Sequence, residues 1–178
     1  MIESVEYKIA IVSDTHGNWQ ETVHEIQQEP GITHLMFLGD HAKDGYAIAN
    51  TLGIPAYIVR GNCDDGQADP EEQIVSLGDW RIMICHGHRY QVKQTLHNLY
   101  YRGLELGVDY ILYGHTHIAA YEQGEVNIIN PGSMSTGNML MQNASWGLLT
   151  LPAEKNENFF GKYEKKTCSL ICYGCITL

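Results

Sequence analysis

The sequence predicts an α/β fold whose second half is rich in strands. Three observations carry that prediction. Near-continuous apolar runs, such as residues 7–13, have the pattern of strands covered on both faces. In the first third of the chain these runs alternate with segments whose apolar residues recur at helical spacing. After residue 72 the rhythm shifts to short strands joined by turns.

Residues 7–13 form the first buried strand. A helix opens at Asn18, which is suited to cap it, and Glu21 stands where the second half of a capping box belongs. Trp19, Val23 and Ile26 then share one face, and Pro30-Gly31 ends the helix. A short buried strand at 34–38 precedes a helix at 44–52 closed by Gly53, and a third strand covers 56–60. Residues 73–77 and 80–85 read as two strands joined through Gly78-Asp79. The longest predicted helix spans 91–106, with Val92, Leu96, Leu99, Gly103 and Leu106 on one stripe and Gly107 as its stop. A buried strand at 109–113 is followed by short strands at 118–122, 126–129 and 146–151. The polar stretch 152–166 reads as a linker or loose hairpin. Cys168, Cys172 and Cys175 read as apolar positions on a final strand, because no His in the tail completes a zinc site.

Composition bounds the function. The 178 residues carry 11 Lys plus Arg against 21 Asp plus Glu, a formal charge of −10. Hydrophobic residues at 44% and charged residues at 18% exclude whole-chain disorder. No apolar run approaches the ~20 residues of a membrane span. The acidic excess argues against binding polymeric nucleic acid, yet leaves a small phosphate ester open, because a bound metal reverses the local field. Residues 1–6 are acidic without an apolar core, so they do not read as a secretory signal. With five cysteines, that points to a reducing compartment, and a cytoplasmic location is expected. Oligomeric state is unreadable, so homo-oligomers remain open.

The chemistry-bearing residues fall at or just after predicted strand ends. Asp14 and His16 follow the first strand, Gly39-Asp40 the second, and Gly61-Asn62-Cys63-Asp64 the third. His86-Gly87-His88 follows the strand at 80–85, and Gly114-His115-Thr116-His117 the strand at 109–113. Loops at strand C-termini build the ligand site of open α/β sheets, so these five segments are positioned to converge. Oxygen donors come from Asp14, Asp40 and the Asn62 amide, and imidazoles from His16, His86, His115 and His117. Mixed N and O donors suit Mn, Fe, Zn, Co or Ni, and seven donors exceed what one tetrahedral ion uses, which points to two ions. Asp-x-His and His-x-His would each put two donors on one side of an extended segment. The glycines Gly17, Gly39, Gly61, Gly87 and Gly114 permit tight turns around them.

In this order, Ser13-Asp14-Thr15-His16-Gly17, Leu38-Gly39-Asp40, Arg60-Gly61-Asn62-Cys63-Asp64, Cys85-His86-Gly87-His88 and Tyr113-Gly114-His115-Thr116-His117 resemble the calcineurin-like metallophosphoesterase superfamily, and more closely its small YfcE-like phosphodiesterase branch. Ile129-Asn130-Pro131-Gly132-Ser133 adds to the resemblance, which spans residues 7–150. It implies a four-layer αββα sandwich, two facing mixed β-sheets with helices outside. Residues 1–151 would be the metallophosphoesterase domain and 152–178 its C-terminal extension. It also implies that Asp14, His16 and His117 hold one divalent ion, that Asn62, His86 and His115 hold the other, and that Asp40 bridges them. The ions would be Mn²⁺, with Ni²⁺, Zn²⁺, Fe²⁺ or Co²⁺ as alternatives. A hydroxide between them would attack a small phosphodiester, with Asp40, Asn62 and His86 acting through it.

The sequence departs from the superfamily pattern after Asn62, where Cys63 replaces the His that protonates the leaving group in many members. That leaves the general acid open among Asp64, His88, His41 and Cys63, and a thiol is a poor default. Two other readings stand beside the phosphodiesterase. A phosphomonoesterase or protein phosphatase would need cationic clamps, and Arg60, Arg81, Arg89 and Arg102 are the only arginines. A non-catalytic protein-interaction scaffold of the retromer-subunit type would have no need of all seven donors. Ser133 is a candidate for phosphate contact, and Trp19, Tyr100 and Tyr101 read as packing residues.

Overall fold

The computed structural model describes residues 6–65, 68–135, 143–155 and 161–167. Its elements are β1 (Glu6–Val12), α1 (Trp19–Gln27), β2 (His34–Phe37), α2 (Ala42–Leu52), β3 (Ala56–Ile58), β4 (Glu72–Leu77), β5 (Trp80–Cys85), α3 (His97–Leu106), β6 (Tyr110–Leu112), β7 (Ala120–Glu122), β8 (Asn127–Asn130), β9 (Ser145–Pro152) and β10 (Lys162–Thr167). They build two mixed five-stranded sheets, ordered β10-β9-β1-β2-β3 and β4-β5-β6-β8-β7. In the first, β1, β2 and β3 run parallel and β9 lies antiparallel to β1. In the second, β5, β6 and β8 run parallel while β4 and β7 are antiparallel edges.

The period-two alternation of β1 explains the layering. Ile9 and Ile11 point into a core shared with Ile82, Ile84 and Leu112 of the second sheet. Ala10 and Val12 point the other way, into a core with Val23 and Ile26 of α1 and Ile48 of α2. On the far side, Met83 and Ile111 pack with Leu99 of α3. The result is a sandwich of helix, sheet, sheet and helix. Because both faces of the central strands are covered, they read as continuous apolar runs, and their functional groups are confined to the loops beyond their ends.

Two local expectations need correction. Asn18 does not cap α1 through its side chain; its amide instead donates to Met134 O at 2.8 Å. The predicted helix at 91–106 begins only at His97. Ahead of it lie a single 3-10 turn at His88–Tyr90 and a left-handed Gln91 with φ 56°, and Val92 packs against the Gly87 backbone. Its apolar spacing suits a helix, but its buried residues are drawn into a turn. Of the two readings of the polar stretch at 152–166, the hairpin is the one the structure bears out. β10 pairs with β9 from Lys162 to Thr167, and its charges fit an edge strand, where Lys and Glu face water. The cysteine cluster at 168, 172 and 175 lies outside the described residues. No helix among the described residues is long and apolar enough to cross a membrane.

Candidate metal centre

Five loops meet where the two sheets present their strand ends. Asp14 N–H donates to Gly39 O at 3.1 Å, joining the loops after β1 and β2, and Gly114 N–H donates to His86 O at 3.1 Å, joining those after β6 and β5. The Gly114 crossing is tight, because a Cβ there would collide with Ser13 Oγ. Gly61 is held equally close to Asp40, whose side chain a Cβ would strike.

Two groups of side chains have donor atoms within 4.8 Å of one another: Asp14, His16 and His117, and Asp14, Asp40 and His86. Asp14 Oδ1 lies 3.1 Å from His117 Nε2 and 3.9 Å from His86 Nε2. Asp40 Oδ2 lies 3.4 Å from His86 Nε2 and 4.0 Å from His16 Nε2. Each carboxylate therefore faces imidazoles on both sides of the cluster. His115 Nδ1 sits 3.2 Å from His86 Nε2. Asn62 is exposed on the loop after β3, its amide 3.4 Å from Cys63 Sγ, and the neighbouring Cys63 N–H donates to Asp40 Oδ1 at 2.9 Å.

Each carboxylate is held by hydroxyl or backbone donors at one oxygen and faces imidazoles with the other. Asp14 Oδ2 accepts from Ser13 Oγ at 2.5 Å and from His115 N–H at 3.1 Å. Asp14 Oδ1 is buried with no hydrogen bond among the described residues. That oxygen stands among imidazole nitrogens, 3.1 Å from His117 Nε2 and 3.9 Å from His86 Nε2, a donor set that fits a divalent cation. His86 Nδ1 donates to Leu38 O at 2.7 Å, which leaves the Nε2 lone pair of the neutral ring facing Asp40.

Charge is correspondingly skewed. Burial works to raise the Asp40 pKa, but His86 and the Cys63 N–H overcome it and hold the carboxyl well below its ordinary range. Burial lowers the His86 pKa, but the Asp40 and Asp14 carboxylates outweigh it and raise it. The Asp14 carboxylate beside His117 raises that residue as well. Burial, then the His86 and Lys93 charges, hold His115 down at about 4.

The general-acid candidates separate. Both Asp64 oxygens are engaged by backbone, Oδ1 by Ala42 N–H and Oδ2 by Gly61 N–H, each at 2.8 Å. Desolvation and the nearby Asp40, Asp64 and Asp14 carboxylates push the Cys63 thiol up to about 11. His88 faces the cluster, its ring centroid 5.5 Å from His86 and 6.1 Å from His115. His41 lies 5.1 Å from His16 by ring centroid. Ser133 is committed to the backbone, donating to Asp14 O at 2.9 Å and accepting from Ser135 N–H at 3.0 Å.

The Asp-x-His and His-x-His pairs do not lie on extended segments. Asp14, His16, His115 and His117 all have left-handed φ, between 46° and 67°. Each pair is carried on a tight turn about a central Thr rather than on an extended strand, and in the first the donor atoms of Asp14 and His16 come within 4.8 Å. Asp44 is the residue the sequence did not signal. Its buried Oδ2 accepts from Thr15 Oγ1 and Gly17 N–H, both at 2.8 Å, fixing the first turn onto α2. Asn130 plays the matching part, donating to Gly114 O and Thr116 Oγ1, both at 3.0 Å.

Residues 7–152 match the family model for the calcineurin-like phosphoesterase superfamily domain. Among curated proteins, the chain is 35% identical over 146 residues to one named Probable metallophosphoesterase YsnB from Bacillus subtilis (strain 168), covering 80% of this chain and 83% of that one. Among solved structures, YfcE, described as a phosphoesterase from E. coli, aligns at TM-score 0.56 and 25% identity over 80% of this chain and 87% of its own. Vps29 from Entamoeba histolytica, solved in complex with Zn²⁺, aligns at TM-score 0.66 and 22% identity over 90% of this chain and 98% of its own.

Proposed function

The chain belongs to the calcineurin-like phosphoesterase superfamily, and on that premise we propose that it is a metal-dependent phosphodiesterase acting on small phosphodiesters. Asp14, His16 and His117 would hold one divalent ion. Asn62, His86 and His115 would hold the second, with Asp40 shared. The observation that carries this reading is the position of Asp40 Oδ2, 4.0 Å from His16 Nε2 on one side and 3.4 Å from His86 Nε2 on the other. Mn²⁺ is the ion to test first, and the same donors suit Zn²⁺, Fe²⁺, Co²⁺ and Ni²⁺. When bound, such ions supply a water of lowered pKa and positive charge opposite the phosphoryl oxygens.

The chain's own residues orient the donors. Leu38 O fixes the His86 tautomer, Cys63 N–H turns Asp40 Oδ2 toward the cluster, and Ser13 with His115 N–H does the same for Asp14 Oδ1. The arginines favour a diester over a monoester. Arg60 and Arg89 pair with Glu71, Arg102 pairs with Glu72 and Glu105, and Arg81 donates to Leu106 O. With those cations so engaged, the site offers no arginine fork for a dianionic monoester, whereas a monoanionic diester needs none. The fold likeness to Vps29 favours a second reading, a protein-interaction scaffold.

One assay separates these readings. Chelator-stripped protein is offered bis(4-nitrophenyl) phosphate or 4-nitrophenyl phosphate, with and without Mn²⁺. Mn²⁺-dependent cleavage of the diester well above the monoester is expected. Preferred monoester cleavage would replace the diester reading, and ion binding without turnover of either ester would move the weight to the scaffold.

A further inference from the structure

A cleft of about 390 Å³ opens beside the His115–His117 turn, within the size range of small-molecule sites. Its walls include Val92, Leu96, Tyr113, Ile118 and Ala120, and Thr116, the residue between the two histidines, belongs to both the cleft and the candidate centre. We infer that this cleft seats one ester arm of the substrate, and that the arm it takes is a ring of aryl or nucleobase size rather than a short alkyl group. The inference rests on the phosphoesterase reading of the neighbouring site and adds to it a substrate class.

Three features point to an occupant continuous with a phosphoryl group. Lys93 stands on the cleft wall, so a cation lines the space beside the candidate centre. Ile118 is 46% exposed on the cleft, a large apolar surface held open one residue from His117 of the candidate centre. The left-handed Gln91 turns the chain out of helix, so that residues 92–96 form a wall of the cleft instead of a first helical turn. Apolar side chains line most of the space, and Lys93, Gln94, Thr95 and Thr116 add polar groups to its lining. A flat ring with a polar edge matches that lining, and an alkyl stub leaves it unfilled.

The test reads binding separately from turnover. Affinity of the Mn²⁺-loaded protein for phenylphosphonate and for methylphosphonate is measured by calorimetry, since the two probes share a head group and differ only in the arm. The aryl probe is expected to bind about tenfold more tightly or better. Ala120→Phe, which fills the cleft, and Ile118→Ser, a change at an exposed position, should each collapse that preference. Equal binding of the two probes, or an aryl preference that survives both substitutions, overturns the assignment. The same proteins are then assayed on phenyl 4-nitrophenyl phosphate and methyl 4-nitrophenyl phosphate. A cleft-dependent binding preference without turnover of either diester supports the cleft and refutes the phosphodiesterase reading, so the two failures stay distinct.

Discussion

Asp64 is where a catalytic and a structural role predict opposite results. Its side chain is 6% exposed, and its two oxygens take the N–H groups of Ala42, at the start of α2, and of Gly61, in the loop after β3. Asp64→Ala strands both donors in a buried setting. A hydrogen bond to a charged group contributes about 1.5–3 kcal/mol, and loss of a helix cap typically costs ~1 kcal/mol. A combined loss of about 3 kcal/mol follows, which for a chain of this size lowers Tm by roughly 6–12 °C. Asp64→Asn retains one acceptor oxygen and should lose about half as much. Thermal unfolding by circular dichroism reads the shift, and turnover per folded protein on activated and unactivated diesters reads the chemistry. A drop in Tm with little change in turnover on either ester is expected. A shift below about 2 °C, together with loss confined to the poor leaving group, would refute the capping argument and restore Asp64 as the acid.

The remaining predictions concern the cluster itself. Asp40→Asn should lower Mn²⁺ affinity and turnover by more than about a hundredfold, measured by metal titration and initial rates; full activity would remove Asp40 from the shared position. Asp44→Ala and Asn130→Ala touch no donor atom, yet each should weaken Mn²⁺ binding by roughly 10–100-fold, because each releases one Xaa-Thr-His turn. Protons compete with metal for imidazole nitrogen, and the raised pKa values of His86 and His117 keep them protonated to higher pH than an ordinary histidine. Mn²⁺ affinity should therefore rise with pH through that range and flatten above it, with protons released on binding. His115, at about 4, is already neutral and should release none near pH 7. Calorimetry in two buffers of different ionisation enthalpy counts those protons.

What the sequence disclosed depended on whether the information was local. The central strands were legible because burial on both faces writes an unbroken apolar run, as in β1 and β5. The candidate donors were legible because polar residues directly after such a run can only sit at a strand end. Asp44 was not legible. It lies inside an amphipathic helix, and its partners Thr15 and Gly17 are nearly thirty residues away with no periodicity linking them. The same holds for Asp64, whose cap on α2 reaches back 22 residues. β10 was legible only as one arm of a loose hairpin, because an edge strand beside solvent carries charge where an inner strand carries Val or Ile.

The left-handed backbone of the cluster ties these observations together. Among the described residues, seven non-glycine residues have positive φ, and six of them are Asp14, His16, Asp40, His41, His115 and His117. Such conformations cost about 1 kcal/mol or more each and persist only where the surroundings over-determine them. Here the surroundings can be named. Asp14-Thr15-His16 comes from the first sheet and His115-Thr116-His117 from the second, and the two turns are built alike. In each, two left-handed residues flank a threonine whose hydroxyl is gripped by a distant side chain, Asp44 in one case and Asn130 in the other. An extended segment would aim both donors to one side but keep them roughly 6–7 Å apart along the strand. The tight turn instead brings donor atoms of Asp14 and His16 within 4.8 Å of each other and of His117. The strain is therefore tied to the convergence itself, and the residues that sustain it, Asp44 and Asn130, belong to the site as much as the groups that face its centre.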